Sequence, residues 1–200
     1  MRLRPALGLL FVLVVGCRPS APPVSPTPAL GAQLAPAPVD GVACVGAIDA
    51  PPPGAHPVVD EALLQAALGP SGAGKLCTGR VYEATAPLVV YRVWSVAKAY
   101  TEIGRWWSFA RPGGTVASYR AANAICPEWS ELDTLSRCAL KVGARFVLGP
   151  GQSADCAGDG DYGKSPVNQV YVDNDARAGR VLVEACAPLG PWPGVGAASP

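Results

Sequence analysis

Histidine is almost absent from this chain of 200 residues: His56 is the only one, and there is likewise a single methionine. A Ser-His-Asp or Cys-His centre needs an imidazole positioned inside a pocket, whereas His56 sits among the prolines of Pro51-Pro-Pro-Gly-Ala-His-Pro57, where an exposed loop is expected. Charge of one sign is also lacking. Lysine and arginine total 16 against 15 aspartates and glutamates, a formal net charge of +1, without a block of like charges. Nothing therefore marks a nucleic-acid partner. Asp155, Asp159, Asp161, Asp173 and Asp175 fall in Gly- or Asn-containing turns at spacings that match no EF-hand loop, and they read as solvated turns. One histidine with oxidised cysteines makes no zinc site either, so no metal and no bound cofactor is expected.

Long apolar runs are confined to the N-terminus, MRLRPALGLLFVLVVGC. Arg2 and Arg4 precede the run Ala6 to Val15, which is too short to span a bilayer as a mature helix and has the form of a signal peptide. It ends in Val14-Val15-Gly16-Cys17, which resembles a bacterial lipobox, in which the signal is cut before the cysteine and the thiol is lipidated. Arg18 rather than aspartate follows, resembling the outer-membrane default. The expected protein is exported and lipid-anchored to the cell membrane or outer membrane. The expected divisions are a signal peptide at 1–16, lipidated Cys17 with a proline-rich tether over 17–39, and a helical extension at 40–75. The main domain is expected over 76–193, followed by a tail at 194–200.

With Cys17 set aside, the seven cysteines reduce to six: Cys44, Cys77, Cys126, Cys138, Cys156 and Cys186. An even number in an exported chain predicts disulfides, and six cysteines allow 15 connectivities. The sequential one, Cys44–Cys77, Cys126–Cys138 and Cys156–Cys186, is the expectation.

Gly69-Pro-Ser-Gly-Ala-Gly-Lys-Leu76 has the glycines and lysine of a phosphate-binding loop. A working loop follows a strand, opens a helix and carries a hydroxyl after its lysine. Here a helix precedes it, Leu76 replaces the hydroxyl and Cys77 follows, so a flexible turn is expected.

Pro57 to Leu68 reads as a helix, with Asp60 and Glu61 at its start and Gly69 as its stop. Leu88 to Trp94 and Arg105 to Phe109 read as strands, and Thr115 to Ile125 as a helix. Cys138 to Val142 and Arg145 to Leu148, around Gly143, read as a hairpin. Asn168 to Val172 and Arg180 to Glu184 add two more strands. The fold class expected is α+β, a curved, largely antiparallel sheet with a few short helices, stapled by disulfides.

The aromatic and arginine residues cluster. Strand alternation puts Arg105 and Trp107 on one side and Trp106 and Ser108 on the other, so the two tryptophans cannot share one core. Tyr91-Arg92-Val-Trp94, then Gly104-Arg105-Trp106-Trp107-Ser108, then Arg111-Pro-Gly-Gly114 resembles the paired arginine motifs of secreted NAD glycohydrolases. That family is typified by the tuberculosis necrotizing toxin and the fungal surface NADases. Gly149-Pro-Gly-Gln152 and Asn168-Gln169-Val-Tyr171 resemble its glycine-proline segment and its Gln-aromatic strand. The similarity covers about Leu88 to Val172. The Thr115–Ile125 helix and the Cys126–Cys138 segment depart from the family pattern, and Tyr171 stands where arginine-serine-glutamate ADP-ribosyltransferases carry glutamate.

The resemblance implies an enzyme that hydrolyses NAD, its substrate rather than a bound cofactor, with Gln169 as the main catalytic residue. It implies that Arg92 and Arg105 hold phosphates, Arg105 being counted with Gln169 as catalytic, that Trp106 or Trp107 holds the nicotinamide ring, and that Ser108 holds the carboxamide or ribose. The chemistry is self-consistent: nicotinamide in NAD is a cationic leaving group that needs no protonation, arginine binds phosphate with two donors, and tryptophan stacks on flat cations. A cognate inhibitor protein is specified by no motif. The competing expectation is a non-catalytic surface lipoprotein whose Trp94, Trp106, Trp107 and Trp129 form a platform for sugar or protein.

Overall fold

Two antiparallel sheets carry the core. In the computed structural model, which describes residues 38–158 and 160–194, strands β1 (Ala55–Pro57), β2 (Arg80–Ala84), β4 (Trp106–Trp107), β6 (Arg145–Gly151) and β7 (Ser165–Tyr171) form the larger. Its order is β1-β2-β6-β7-β4. Strands β3 (Leu88–Trp94), β5 (Thr134–Leu140) and β8 (Val183–Pro191) form the smaller, in the order β3-β5-β8. Two short helices, α1 (Glu61–Ala67) and α2 (Val116–Asn123), complete an α+β fold with three disulfides. The described residues belong to the unit Leu34–Pro200. The signal peptide, Cys17, most of the tether and most of the tail lie outside the described residues, as does Asp159. Among the described residues no helix is long and apolar enough to cross a membrane.

Alternation along the strands builds the larger apolar clusters. Tyr82, Leu88, Val90, Trp107, Leu140, Phe146, Val170 and Val183 meet in the main one, which draws on both sheets. The opposite face of the larger sheet, with Val81, Val147 and Tyr171, is covered by Ala67 and Leu68 at the end of α1. Val93, Leu132, Leu135 and Trp192 pack with Val116 and Tyr119 of α2. Both helices are capped at their starts: Asp60 accepts from Leu63 N–H, and Thr115 accepts from Ser118 N–H.

The structure corrects four expectations. The first helix begins at Glu61 rather than at Pro57, which as part of β1 pairs with Tyr82 instead. Cys138–Val142 and Arg145–Leu148 do not pair as a hairpin. Lys141 to Ala144 instead turns the chain from one sheet to the other, with Gly143 at a φ of 81° and its N–H bonded to the Ala84 carbonyl. The sequential disulfides hold only for Cys44–Cys77; the others are Cys126–Cys156 and Cys138–Cys186. The last is set by sheet order, since β5 and β8 are neighbours although 48 residues separate the two cysteines. His56 is exposed as expected, but on β1 rather than in a loop. That strand ties the 40–75 segment into the larger sheet by pairing Ala55 with Ala84, and Cys44–Cys77 fastens it a second time.

Candidate functional site

Beyond β4 the chain leaves the larger sheet, and Ser108 pairs with Tyr91 of β3. Where the two sheets meet in this way a cavity of about 360 Å³ opens. Arg92 and Val93 of β3, Trp106 of β4 and Gln169 of β7 line it. Asn123 and Ile125 at the end of α2, the following loop through Trp129, Ser130 and Leu132, and Ala73 to Lys75 complete its walls.

Arg92 is held by main-chain carbonyls. Its Nε donates to Thr101 O at 2.7 Å and its Nη1 to Trp106 O at 2.6 Å, while the guanidinium lies 6.0 Å from the Trp107 ring centroid. Gly104 makes room for it: a β-carbon there would collide with the guanidinium. Among the described residues no carboxylate forms an ion pair with Arg92, and no aspartate or glutamate lines the cavity. Desolvation pulls its pKa down to about 10, which leaves it cationic at neutral pH. Burial pushes the neighbouring Tyr119 hydroxyl up to about 12, so that phenol stays neutral. Arg92 is thus a half-buried cation without a carboxylate partner, on the wall of a cavity, which makes it a candidate to meet an anion.

Gln169 is only 5 % exposed. Its Nε2 donates to the main-chain carbonyl of Asn123 at 3.1 Å. That carbonyl belongs to the last turn of α2 and has no intrahelical partner of its own. α2 stops there because Ala124 takes a left-handed conformation, φ 49° and ψ 52°, usually reserved for glycine. Ser165 of β7 caps the adjacent Ala122 carbonyl in the same way. On the other side of Gln169, Tyr171 stacks edge-on against Trp106 with ring centroids 4.9 Å apart.

The remaining walls are fastened loops. Gly69 to Leu76 is pinned at its ends by the Gly69 N–H to Leu76 carbonyl bond, and in its middle by Gly74 N–H to Ser153 O. Gly74 packs directly under the indole of Trp129, with no space for a side chain. Trp129 is 41 % exposed, at the rim. Its loop is organised by Arg120, a buried arginine that donates to the carbonyls of Ile125, Cys126 and Ser130, and by Lys98, which donates to those of Glu128 and Trp129. Cys126–Cys156 anchors the loop covalently. Glu128 lies beside that pair, but sulfurs in a disulfide offer no thiolate to a metal.

The structure thus brings together Arg92, Trp106 and Gln169 on the cavity wall, and leaves Arg105, Trp107 and Ser108 out of its lining. Arg105 is exposed and points away: its Nε donates to Asn174 O and lies 3.7 Å from the Asp173 carboxylate. Trp107 is core, its indole N–H bonded to Gly104 O, and it serves the cavity only by backing Arg92. The Ser108 hydroxyl donates to Ala110 O. Sequence reasoning passed over Asn123 and the Ala73–Lys75 wall. Gly74 of the latter was visible, but nothing in the sequence placed it against Trp129. No family model matches the chain, and neither a curated protein nor a solved structure matches it.

Proposed function

We propose that this protein is an exported, lipid-anchored NAD glycohydrolase. The observation that supports the reading best is the sharing of one carboxylate-free cavity by an unpaired arginine, an indole and a buried glutamine. Arg92 holds a phosphate of the dinucleotide, and Lys75 adds positive charge to the same cavity. Trp106 flanks the nicotinamide cation. The cavity is at the small end for a ligand site, so it takes the nicotinamide riboside half while the adenosine half extends past the rim at Trp129.

The reaction needs no acid. As the bond between ribose C1 and the ring nitrogen breaks, its electron pair neutralises the pyridinium and nicotinamide leaves uncharged. The positive charge that develops on the ribose is met by the Gln169 carbonyl oxygen, fixed in place before reaction. Water adds at C1 and its proton passes to solvent, giving ADP-ribose. Tyr171, where the related transferases carry glutamate, is packed against Trp106 and offers no base to a protein nucleophile, which favours water as acceptor.

The platform reading has less support, because Trp94 and Trp107 are buried and only Trp106 and Trp129 reach the cavity. Release of nicotinamide from NAD by the purified chain tests the hydrolase reading, and a folded protein with no release overturns it. The anchor is tested by cell fractionation: Cys17→Ser should abolish membrane attachment, and a wild type that is already fully soluble overturns that part.

A further inference from the structure

Asn123 is, like Gln169, a buried amide with one end committed and one end spare. It is 6 % exposed, and its Nδ2 donates to Tyr119 O at 3.0 Å. Gln169 spends its Nε2 on Asn123 O at 3.1 Å. An amide carries its oxygen opposite its NH₂, so both oxygens turn away from α2. Neither accepts a hydrogen bond from a described residue. Among the described residues no shielded side-chain oxygen lacks a partner, so both oxygens keep an open face, and the cavity is the space both residues line.

We propose that Asn123 is a second substrate-contacting residue, its Oδ1 acting with Gln169 Oε1 to accept the hydroxyls of a ribose whose phosphate lies on Arg92. This rests on the reading of the cavity as an NAD site and adds the group that the site recognises. The acceptors are neutral, and no carboxylate lies beside them, so they favour hydroxyl donors over amines or metal ions. They are fixed by backbone bonds rather than by a mobile loop, so little ordering is required on binding. An anion site, a flat wall and two fixed acceptors together match a phosphorylated ribose that carries a ring. A buried site built to bond hydroxyls also discriminates strongly against a ligand that lacks them, because its own oxygens are then left unpaired.

The test is calorimetric titration of the full chain with ADP-ribose and with ADP, which lacks the distal ribose. The wild type should bind ADP-ribose at least about tenfold more tightly than ADP. In Asn123→Leu, of similar size but without the acceptor, that ratio should fall to about one. Asn123→Ala, a good helix former, replaces it if the leucine variant does not fold. An unchanged ratio in a folded variant overturns the assignment, and so does a wild type that binds neither ligand or both equally. Nicotinamide release, measured alongside, keeps the two readings apart. Hydrolysis with a ratio indifferent to Asn123 removes only this residue's role. An Asn123-dependent ratio without hydrolysis leaves a ribose site and removes the hydrolase.

Discussion

Arg92 donates from Nη1 to the main-chain carbonyl of Trp106 at 2.6 Å. The cation and the indole wall are therefore positioned by one contact, between a strand of each sheet, and the side chain cannot be replaced by a shorter cation without losing it. Arg92→Ala should weaken NAD binding by about tenfold or more, the scale of a charge-assisted hydrogen bond. It should also cost about 1–3 kcal/mol of stability, because the Thr101 and Trp106 carbonyls lose their donor. Arg105→Ala is the control. Arg105 is itself exposed, its ion pair with Asp173 is long at 3.7 Å, and it does not line the cavity, so KM and kcat should stay within about twofold and stability within about 0.5 kcal/mol. Steady-state rates with a fluorescent NAD analogue, beside thermal melts, check both, and a larger loss at Arg105 than at Arg92 reverses the assignment.

Gln169→Ala should cut NAD hydrolysis about 100-fold or more, the scale of one positioned polar group in a transition state. It leaves the Asn123 carbonyl without its donor, so a loss of about 1 kcal/mol in stability should accompany it without loss of the fold. Initial rates and melts of the same preparation give both numbers. Full activity in the variant would remove Gln169 from the chemistry.

Hydrolysis should be nearly flat with pH from roughly 6 to 9, because no histidine, carboxylate or free thiol lines the cavity to act as a base there. Arg92, at about 10, keeps its proton throughout, and Tyr119, at about 12, stays neutral. The sign for stability differs between the two. The folded Arg92 value, about 10, lies below its unfolded one, so the cost of burying the cation is present below about pH 10 and is relieved as pH rises above it. For Tyr119 the unfolded chain ionises first, so stability falls as pH rises from 10.0 towards about 12. A kcat/KM profile with an inflection near neutrality would point to a titrating base that this cavity does not contain.

Disulfide mapping by non-reducing proteolysis should recover Cys44–Cys77, Cys126–Cys156 and Cys138–Cys186, with no free thiol in the mature domain. Replacing Cys126 and Cys156 together by serine opens a loop of 30 residues and should cost about 3–4 kcal/mol. It should also raise KM, since the Trp129 wall loses its covalent anchor. A peptide linking Cys126 to Cys138 would contradict the pairing described here.

Asp40 is bound by Lys164 Nζ at 3.0 Å and by Gln152 Nε2 at 3.2 Å, so residues at the start of the domain are clamped to those that brace the Gly69–Leu76 loop. The Lys164 hydrogen bond, above all, holds its carboxyl below the ordinary aspartate value of 3.8. A depressed carboxyl contributes stability above its unfolded value, and that contribution is lost as pH falls through the folded value. Asp40→Asn should therefore melt below wild type at pH 7, with the gap closing below 3.8. A gap that persists unchanged in acid would show that charge plays no part in the clamp.

Local residue chemistry determined a good deal of this protein by itself. Alternation placed Trp106 and Trp107 on opposite faces, and Thr115 marked the start of its helix, because faces and caps depend only on neighbours in the chain. The first helix starts later than its Pro57 suggested, because Pro57 is drawn into β1. The run Leu88–Trp94 carried its strand entirely in its β-formers. Strand β2 was not legible, since Val81 and Tyr82 are buried on opposite faces and show no polar alternation. Everything that joins distant segments was decided in three dimensions. Sheet order chose the partner of Cys138, the crossing from one sheet to the other replaced a local hairpin, and the packing of α2 on β7 aimed Gln169. Whether Arg92 or Arg105 faced the cavity turned on which strand each side chain met, and a sequence does not state that, because contacts between strands are set by the whole sheet rather than by the residues on either side.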